Sequence, residues 1–387
     1  MEVGIVSPIN VFPPTFGGSV RIYQIAKNLG ELGCSVHLFI PQYGNLSELK
    51  NVKVYPCKEL NDVKKYYPIS IQGIHVHSIS LTKLIRKLGL YKGVDIIQSQ
   101  HLLTSLHGLT LKNLLRKPAI LSEHNVETLV WHQINRVKRQ RWKRLFLLEK
   151  FACKSFDHVV SETPFDKCMI EKLFSVEASK VTAIPNGVDT QCFSPKKDER
   201  ERIRLKYGLR DQPVVLFTGR LNWFANTDAL KILFSEIYPT LKKRIPDAVF
   251  MVVGTNPPSW LTNYPKRDVI LTQSPHYDVS SYINAADICV APLRFGSGMC
   301  LKTLEYMSCE KPVVSTSCGA RGLPIANGKH LIIEDNIKTF AERIAQLLEN
   351  ESLASSLGKE ARKMVKNAYD WGIIAKRFIE IYEKLLN

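Results

Sequence analysis

A chain of 387 residues with 45% hydrophobic and 23% charged residues is too long for one ordinary core and too apolar to stay disordered, which points to two folded domains. The formal net charge of +17 calls for an anionic partner, whether nucleic acid, an anionic membrane surface or a phosphorylated small molecule. Nine cysteines, odd in number and scattered, give neither a disulfide framework nor a CxxC motif, so a reducing, cytoplasmic setting is expected.

Met1 to Val6 carries Glu2 where a signal peptide would carry basic residues, and Pro8, Pro13 and Pro14 break any apolar run, so this segment reads as a first strand. Phe16-Gly17-Gly18-Ser19 then opens a helix running to about Leu32. Glycines at such a place let a ligand approach the backbone, and the helix start offers free N–H groups and a positive dipole end to an anion. Strand-like runs follow at Val36 to Ile40, Asp95 to Ser99, Ala119 to Ser122, His158 to Ser161 and Val181 to Ile184. Their alternation with helical stretches predicts a parallel sheet with right-handed crossovers.

Between these strands, His75 and His77 form the only tight histidine pair and have no third ligand nearby in sequence, so no metal site is expected. The segment Asn135 to Phe156 has helical periodicity and holds the densest basic run, Arg136 to Arg144. Trp142, Leu145, Phe146 and Leu148 beside those charges fit an interfacial helix on anionic lipid, and a solvated helix face is the competing reading. Basic residues are not interleaved with aromatic ones along a strand, and no zinc finger or helix-turn-helix is present, so nucleic acid is not an expected partner.

After Pro185-Asn186-Gly187-Val188-Asp189 and a charged stretch, a second alternating series takes over. Its strands are predicted at Val214 to Thr218, Ala248 to Val253, Val269 to Thr272, Asp287 to Ala291, Pro312 to Ser315 and His330 to Ile333. All apolar runs are strand-length and none would span a membrane. The domains are therefore placed at 1–190 and 191–369, with an apolar-periodic helix at 370–387 expected to return to the first. Two α/β units of this kind predict a cleft facing the carboxyl ends of both sheets.

The strongest chemical signal is Ala286-Asp287-Ile288-Cys289-Val290-Ala291-Pro292-Leu293-Arg294-Phe295-Gly296-Ser297-Gly298-Met299-Cys300-Leu301-Lys302-Thr303-Leu304-Glu305. A strand ends at Pro292, a glycine-rich loop follows, and a helix is expected to start near Met299. Lys302 falls in its first turn with Glu305 three positions on, both on one side. Backbone N–H groups and a lysine can take a diphosphate, and a carboxylate can hold a ribose diol.

This segment resembles the donor-site signature of retaining family 4 glycosyltransferases, in which the second glutamate of an E-x7-E pattern binds the donor ribose; Glu305 matches it. The first glutamate falls on Ser297, a departure shared with a branch that carries G-x-G-x-x-L-K-x-L-E. Phe217-Thr218-Gly219-Arg220 is similar to the family's G-R, whose arginine binds the diphosphate. The usual lysine about five residues later is replaced by Asn222-Trp223-Phe224-Ala225-Asn226, with Lys302 as substitute charge. Glu123-His124-Asn125-Val126-Glu127 resembles the histidine segment that faces the donor sugar, Ile184 to Asp189 the interdomain P-N-G-V-D element, and Gly17 with Gly18 the first-domain glycine loop.

The resemblance implies a GT-B fold, two Rossmann-like domains with parallel sheets facing a central cleft. It implies transfer of a sugar from a nucleotide-diphosphate donor to a saccharide or lipid-linked acceptor, with retention and without metal or cofactor, in envelope polysaccharide or glycoconjugate synthesis. His124, Arg220 and Lys302 are the expected catalytic residues. Gly17, Gly18, Arg220, Gly296, Ser297, Gly298, Met299, Cys300, Lys302 and Glu305 are the expected donor site. The enzyme is expected in the cytoplasm or on the inner face of the membrane. A GT-B epimerase, an inverting transferase and a non-catalytic sugar-nucleotide-binding protein are the alternatives, since fold alone does not fix reaction type.

Overall fold

The structure is a computed structural model that describes residues 1–41, 49–57, 93–133 and 139–387. It divides into two compact units, Met1–Asn186 with Trp371–Asn387, and Gly187–Asp370. His75, His77, Arg136 and Lys138 lie outside the described residues.

The first unit is built on a seven-stranded parallel sheet: β1 (Glu2–Val6), β2 (Ser35–Ile40), β3 (Val52–Pro56), β4 (Ile96–Gln100), β5 (Ala119–Ser122), β6 (His158–Ser161) and β7 (Val181–Ala183), in the order β3-β2-β1-β4-β5-β6-β7. The order reverses between β1 and β4, so the ends of those two strands leave a crevice of the kind that takes ligands in open α/β sheets. Strand β3 was not expected from the sequence. It lies at the sheet edge and is only half-buried, so Val52-Lys53-Val54-Tyr55 lacks the apolar continuity that marks the inner strands.

The second unit repeats the plan with six parallel strands: β8 (Val214–Thr218), β9 (Val249–Val253), β10 (Val269–Thr272), β11 (Ile288–Ala291), β12 (Val313–Ser315) and β13 (Ile332–Ile333), ordered β10-β9-β8-β11-β12-β13. Val214, Leu216, Cys289 and Val313 point into one core, while Val215, Phe217, Ile288, Val290 and Val314 point into the other. This two-sided burial explains why these strands read as continuous apolar runs. The reversal here lies between β8 and β11.

The helix Trp371–Leu386 buries Trp371, Ile374, Ala375, Phe378, Ile381 and Tyr382, a three-and-four spacing that makes one apolar face. That face packs on the helix Gly17–Glu31, and the Tyr382 hydroxyl reaches Gln98 on β4. Among the described residues no helix is long and apolar enough to cross a membrane.

Arg21, fully buried in the Gly17–Glu31 helix, ties the unit together. Its guanidinium donates to the Ile184 and Pro185 carbonyls at 3.1 Å and to Asn186 Oδ1 at 2.7 Å, and lies 3.6 Å from Glu162. Asn186 also donates to Glu162 at 2.9 Å. Removing one member of a buried charged pair leaves the other uncompensated and typically costs about 3–5 kcal/mol. Arg21→Met is therefore expected to lower the denaturant midpoint of the first unit by a corresponding amount, and a midpoint equal to wild type would show that the guanidinium carries none of this load.

Candidate nucleotide-sugar site

In the second unit the candidate side chains Arg220, Lys302 and Glu305 gather at the carboxyl ends of β8 and β11. Gly219 follows β8 with φ of +146°, a conformation that L side chains rarely adopt. A Cβ there would also stand 3.0 Å from Asn226 Nδ2 and 3.1 Å from Lys302 Nζ. The glycine thus makes the sharp exit from the strand and the space for an ammonium group in one position.

Lys302 is buried, and its Nζ donates to Asn226 Oδ1 at 2.8 Å while lying 3.9 Å from the centre of the Phe217 ring. Asn226 Nδ2 in turn donates to the Arg220 carbonyl at 2.8 Å. Burial pushes the Lys302 ammonium down to about 8. Glu305 is buried one turn further on, and its carboxyl is pushed up to about 7 by the same cause, with Lys302 opposing. His276 Nε2 stands 3.6 Å from Glu305 Oε1, and burial lowers that imidazole to about 4, so it is neutral at physiological pH. Tuned groups of opposite sign placed in low dielectric mark sites that handle charge.

The helix carrying these residues runs Leu301–Ser308, so it starts two residues later than the sequence suggested. Cys300 is its N-cap, and the glycine loop keeps its extended freedom up to that point, with positive φ at Gly296 and Gly298. Lys302 remains in the first turn. Ser297 and Cys300 are half-buried, whereas Gly298 and Met299 are buried. The loop is tied from the side by Arg321, which donates to the Gly296 carbonyl at 2.5 Å. Arg220 is exposed and is oriented by its own Nε bond to Asn222 Oδ1 at 3.0 Å.

Asn226, His276 and Arg321 were missed as site residues. Asn226 lies in the quoted Asn222 to Asn226 segment that replaces the expected lysine, which was the available signal. His276, at the start of a short 3-10 helix beyond β10, and Arg321, in the loop beyond β12, reach the site and carry no local pattern.

In the first unit the same part of the sheet holds Gly17, Gly18 and His124. His124 is buried, with Nε2 3.0 Å from Gln100 Oε1 and Nδ1 3.3 Å from where a Cβ on Gly18 would stand. Burial, with His101 and Arg21 nearby, holds its pKa well below the ordinary imidazole value, so it works as a neutral ring. Ser19 shapes the approach by accepting the Thr15 and Phe16 amides at 2.9 and 3.1 Å. Among the described residues no group of three or more His, Cys, Asp or Glu is placed to hold a metal ion.

Residues 212–350 match the family model described as Glycosyl transferases group 1, and residues 16–192 match Glycosyltransferase Family 4. The chain is 26% identical over 348 residues to the UDP-Gal:alpha-D-GlcNAc-diphosphoundecaprenol alpha-1,3-galactosyltransferase of Escherichia coli, covering 84% of this chain and 86% of that one. Sucrose-phosphate synthase from Thermosynechococcus elongatus shares the fold with a TM-score of 0.78 at 18% identity, over 100% of this chain and 99% of that one. HepE from Anabaena in complex with UDP-glucose does so with a TM-score of 0.76 at 14% identity, over 99% and 100%.

The Gly219 geometry sets a stability test. Gly219→Ala forces a side chain into the left-handed region, at a cost of about 1–3 kcal/mol, and crowds Lys302. A chemical-denaturation midpoint shifted down by that amount is expected for the second unit, and an unshifted midpoint would contradict the strained exit from β8.

Proposed function

Because this chain is a glycosyltransferase of GT-B type, similar to Glycosyltransferase Family 4 in its first half and to Glycosyl transferases group 1 in its second, we propose that it moves a sugar from a nucleotide-diphosphate donor to a saccharide or lipid-linked acceptor with retention and without a divalent cation. The observation that carries this reading is Lys302, buried at the end of β8 against Asn226 and Phe217, with Glu305 one turn away. A buried ammonium whose hydrogen bond goes to the neutral Asn226 amide is costly, and a diphosphate is the kind of anion that repays it.

In this reading Lys302, Arg220 and the amides of the loop Gly296 to Cys300 stabilise the charge that develops on the leaving diphosphate, usually the largest electrostatic task of such a site. Glu305 accepts from the ribose hydroxyls. Ser297, where the family pattern has a carboxylate, offers a hydroxyl to the sugar instead. The first unit presents His124, beside Gly17 and Gly18, to the saccharide. The acceptor attacks on the face that the diphosphate leaves, so no glycosidase-like carboxylate pair is needed.

Arg220→Ala and Lys302→Ala should lower release of nucleoside diphosphate from a panel of UDP-glucose, UDP-galactose and GDP-mannose by about a hundredfold or more. Activity should survive exhaustive chelation, and its full loss with EDTA, restored by Mg²⁺ or Mn²⁺, would reject the cation-free mechanism. The pH profile of kcat/KM adds a signed check, since it reports the free enzyme. Glu305 must be ionised to accept from the ribose, giving an acid limb near 7. Lys302 must keep its proton, giving an alkaline limb near 8. Glu305→Gln should remove the acid limb; a profile flat from pH 6 to 9 would separate both groups from donor binding.

An anionic membrane is the proposed place of work, and the helix Arg139–Ser155 supports it with residues other than those first suggested by the sequence. Leu145 is buried, Trp142 donates to the Thr128 carbonyl at 3.2 Å and stacks on Phe146, and Phe146 packs on Phe174. These side chains face the core because the helix presents them to the neighbouring helices Glu127–Gln133 and Pro164–Phe174. Leu147 and Phe151 are the outward apolar pair, 63% and 55% exposed and one turn apart. Around them Arg139, Arg141, Lys143, Arg144 and Lys154 are exposed, and the helix's single carboxylate, Glu149, is buried. Each basic side chain contributes on the order of 1 kcal/mol near such a surface. Co-sedimentation with vesicles containing phosphatidylglycerol should exceed that with pure phosphatidylcholine, and Leu147→Ser with Phe151→Ser should weaken it about tenfold; equal binding to both vesicle types would remove the membrane from the reading.

A further inference from the structure

Directly after β4 stands a residue in a backbone conformation rare for anything but glycine. His101 has φ of +71° and ψ of 149°, a strained backbone setting for a non-glycine residue that persists only where surrounding structure over-determines it. Three contacts do so. Its Nδ1 accepts the Leu103 amide at 3.3 Å, its Nε2 lies 3.0 Å from Glu127 Oε1, and its ring meets that of His124 edge-on with centroids 5.8 Å apart. Because an amide can only donate, Nδ1 carries the lone pair and Nε2 carries the hydrogen given to Glu127.

Glu127 is itself held on several sides. It receives Trp131 Nε1 at 3.2 Å and Asn125 Nδ2 at 3.3 Å, and its own amide donates to Glu149 Oε1 at 2.7 Å. Glu149 also takes the Thr128 amide at 2.8 Å and the Thr128 hydroxyl, so a carboxyl group from the later helix fixes the start of the earlier one. Burial opposes the Glu127 charge, yet His101 and the hydrogen bonds from His101, Asn125 and Trp131 outweigh it and keep the carboxyl below its ordinary value. Both ring nitrogens of His101 are engaged within the unit, which suits a group that holds another side chain rather than one that grips substrate.

We propose that His101 and Glu127 are positioning residues for His124: anchored through Glu149, they fix the His101 ring against His124 and so set the orientation in which His124 presents its Nδ1 edge toward Gly18 and the saccharide. The inference rests on the sugar-facing role given to His124 above, and it predicts a state of His124 that is measurable without turnover.

The test uses the full chain labelled with 15N-histidine, with the His124 ring signals identified by their loss in His124→Gln. Wild type should show a single neutral ring with the hydrogen on Nε2, matching the bond to Gln100. His101→Asn keeps a side chain that tolerates positive φ and caps the Leu103 amide, and Glu127→Gln keeps an acceptor for His101 without the charge. In His101→Asn the His124 signals should shift or split into two tautomers; in Glu127→Gln they should shift less. UDP-glucose hydrolysis should lose at least tenfold in kcat in His101→Asn with KM for UDP-glucose within twofold. Wild-type His124 signals in a folded His101→Asn protein would overturn the proposal, as would lost turnover with those signals unchanged, which would give His101 a direct role. Should His101→Asn not fold, Glu127→Gln decides by the same signals. If His124→Gln turns over normally, the sugar-facing role falls, while the ring signals still judge the positioning pair.

Discussion

The burial of Lys302 constrains more of the second unit than any other interaction. An ammonium group placed above Phe217 and bonded to Asn226 needs a strand end without a side chain, an amide at the start of the next helix, and a helix whose first turn faces inward. Gly219, Asn226 and the delayed start at Leu301 each meet one of these demands. Desolvation then lowers the lysine and raises Glu305, so the two groups titrate close to neutrality and to one another. Both shifts follow from packing, since burial is the leading cause of each.

The first unit solves a related problem with different groups. The carboxylates Glu123, Glu127 and Glu149 are buried close together, and burial with mutual repulsion pushes Glu123 well above its ordinary value and Glu149 up to about 8. The cluster sits under the helix start at Glu127 and beside the two histidines at the sheet crevice. Glu127 and Glu149 are each hydrogen-bonded on several sides, and buried polar groups paired in this way fix side-chain positions more narrowly than apolar packing does. The same helix, Arg139–Ser155, carries Glu149 inward and Leu147 with Phe151 outward, so one element serves the polar core and an exposed apolar patch.

Departures from the family pattern gain a physical account at the level of residues. The lysine expected shortly after Gly219-Arg220 is absent, and Asn226 stands in that region as the partner of Lys302, brought by the helix that follows β11. Positive charge is thereby kept near the end of β8 while its covalent origin changes. The missing carboxylate at Ser297 lies in a loop held by Arg321 through the Gly296 carbonyl, which places a second cation near the glycine turn.

The sequence by itself determined the number of units, the alternation of strands and helices, the inner strands almost to the residue, and the identity of the loops that meet at the sheet crevices. It could do so because buried parallel strands are continuous apolar runs and because glycine and proline punctuate the chain where backbone conformation demands it. Edge strand β3 escaped because a half-buried strand has neither a continuous run nor a clean alternation. Only the tertiary structure decided which face of the Arg139–Ser155 helix turns outward, because with Trp142, Leu145, Phe146, Leu147 and Phe151 all apolar, the choice depends on what the neighbouring helices cover. It alone brought Asn226 and His276 to Lys302 and Glu305, and His101 to His124, since those pairs are joined by side chains from elements far apart in the chain and depend on burial and distance, which sequence spacing does not record.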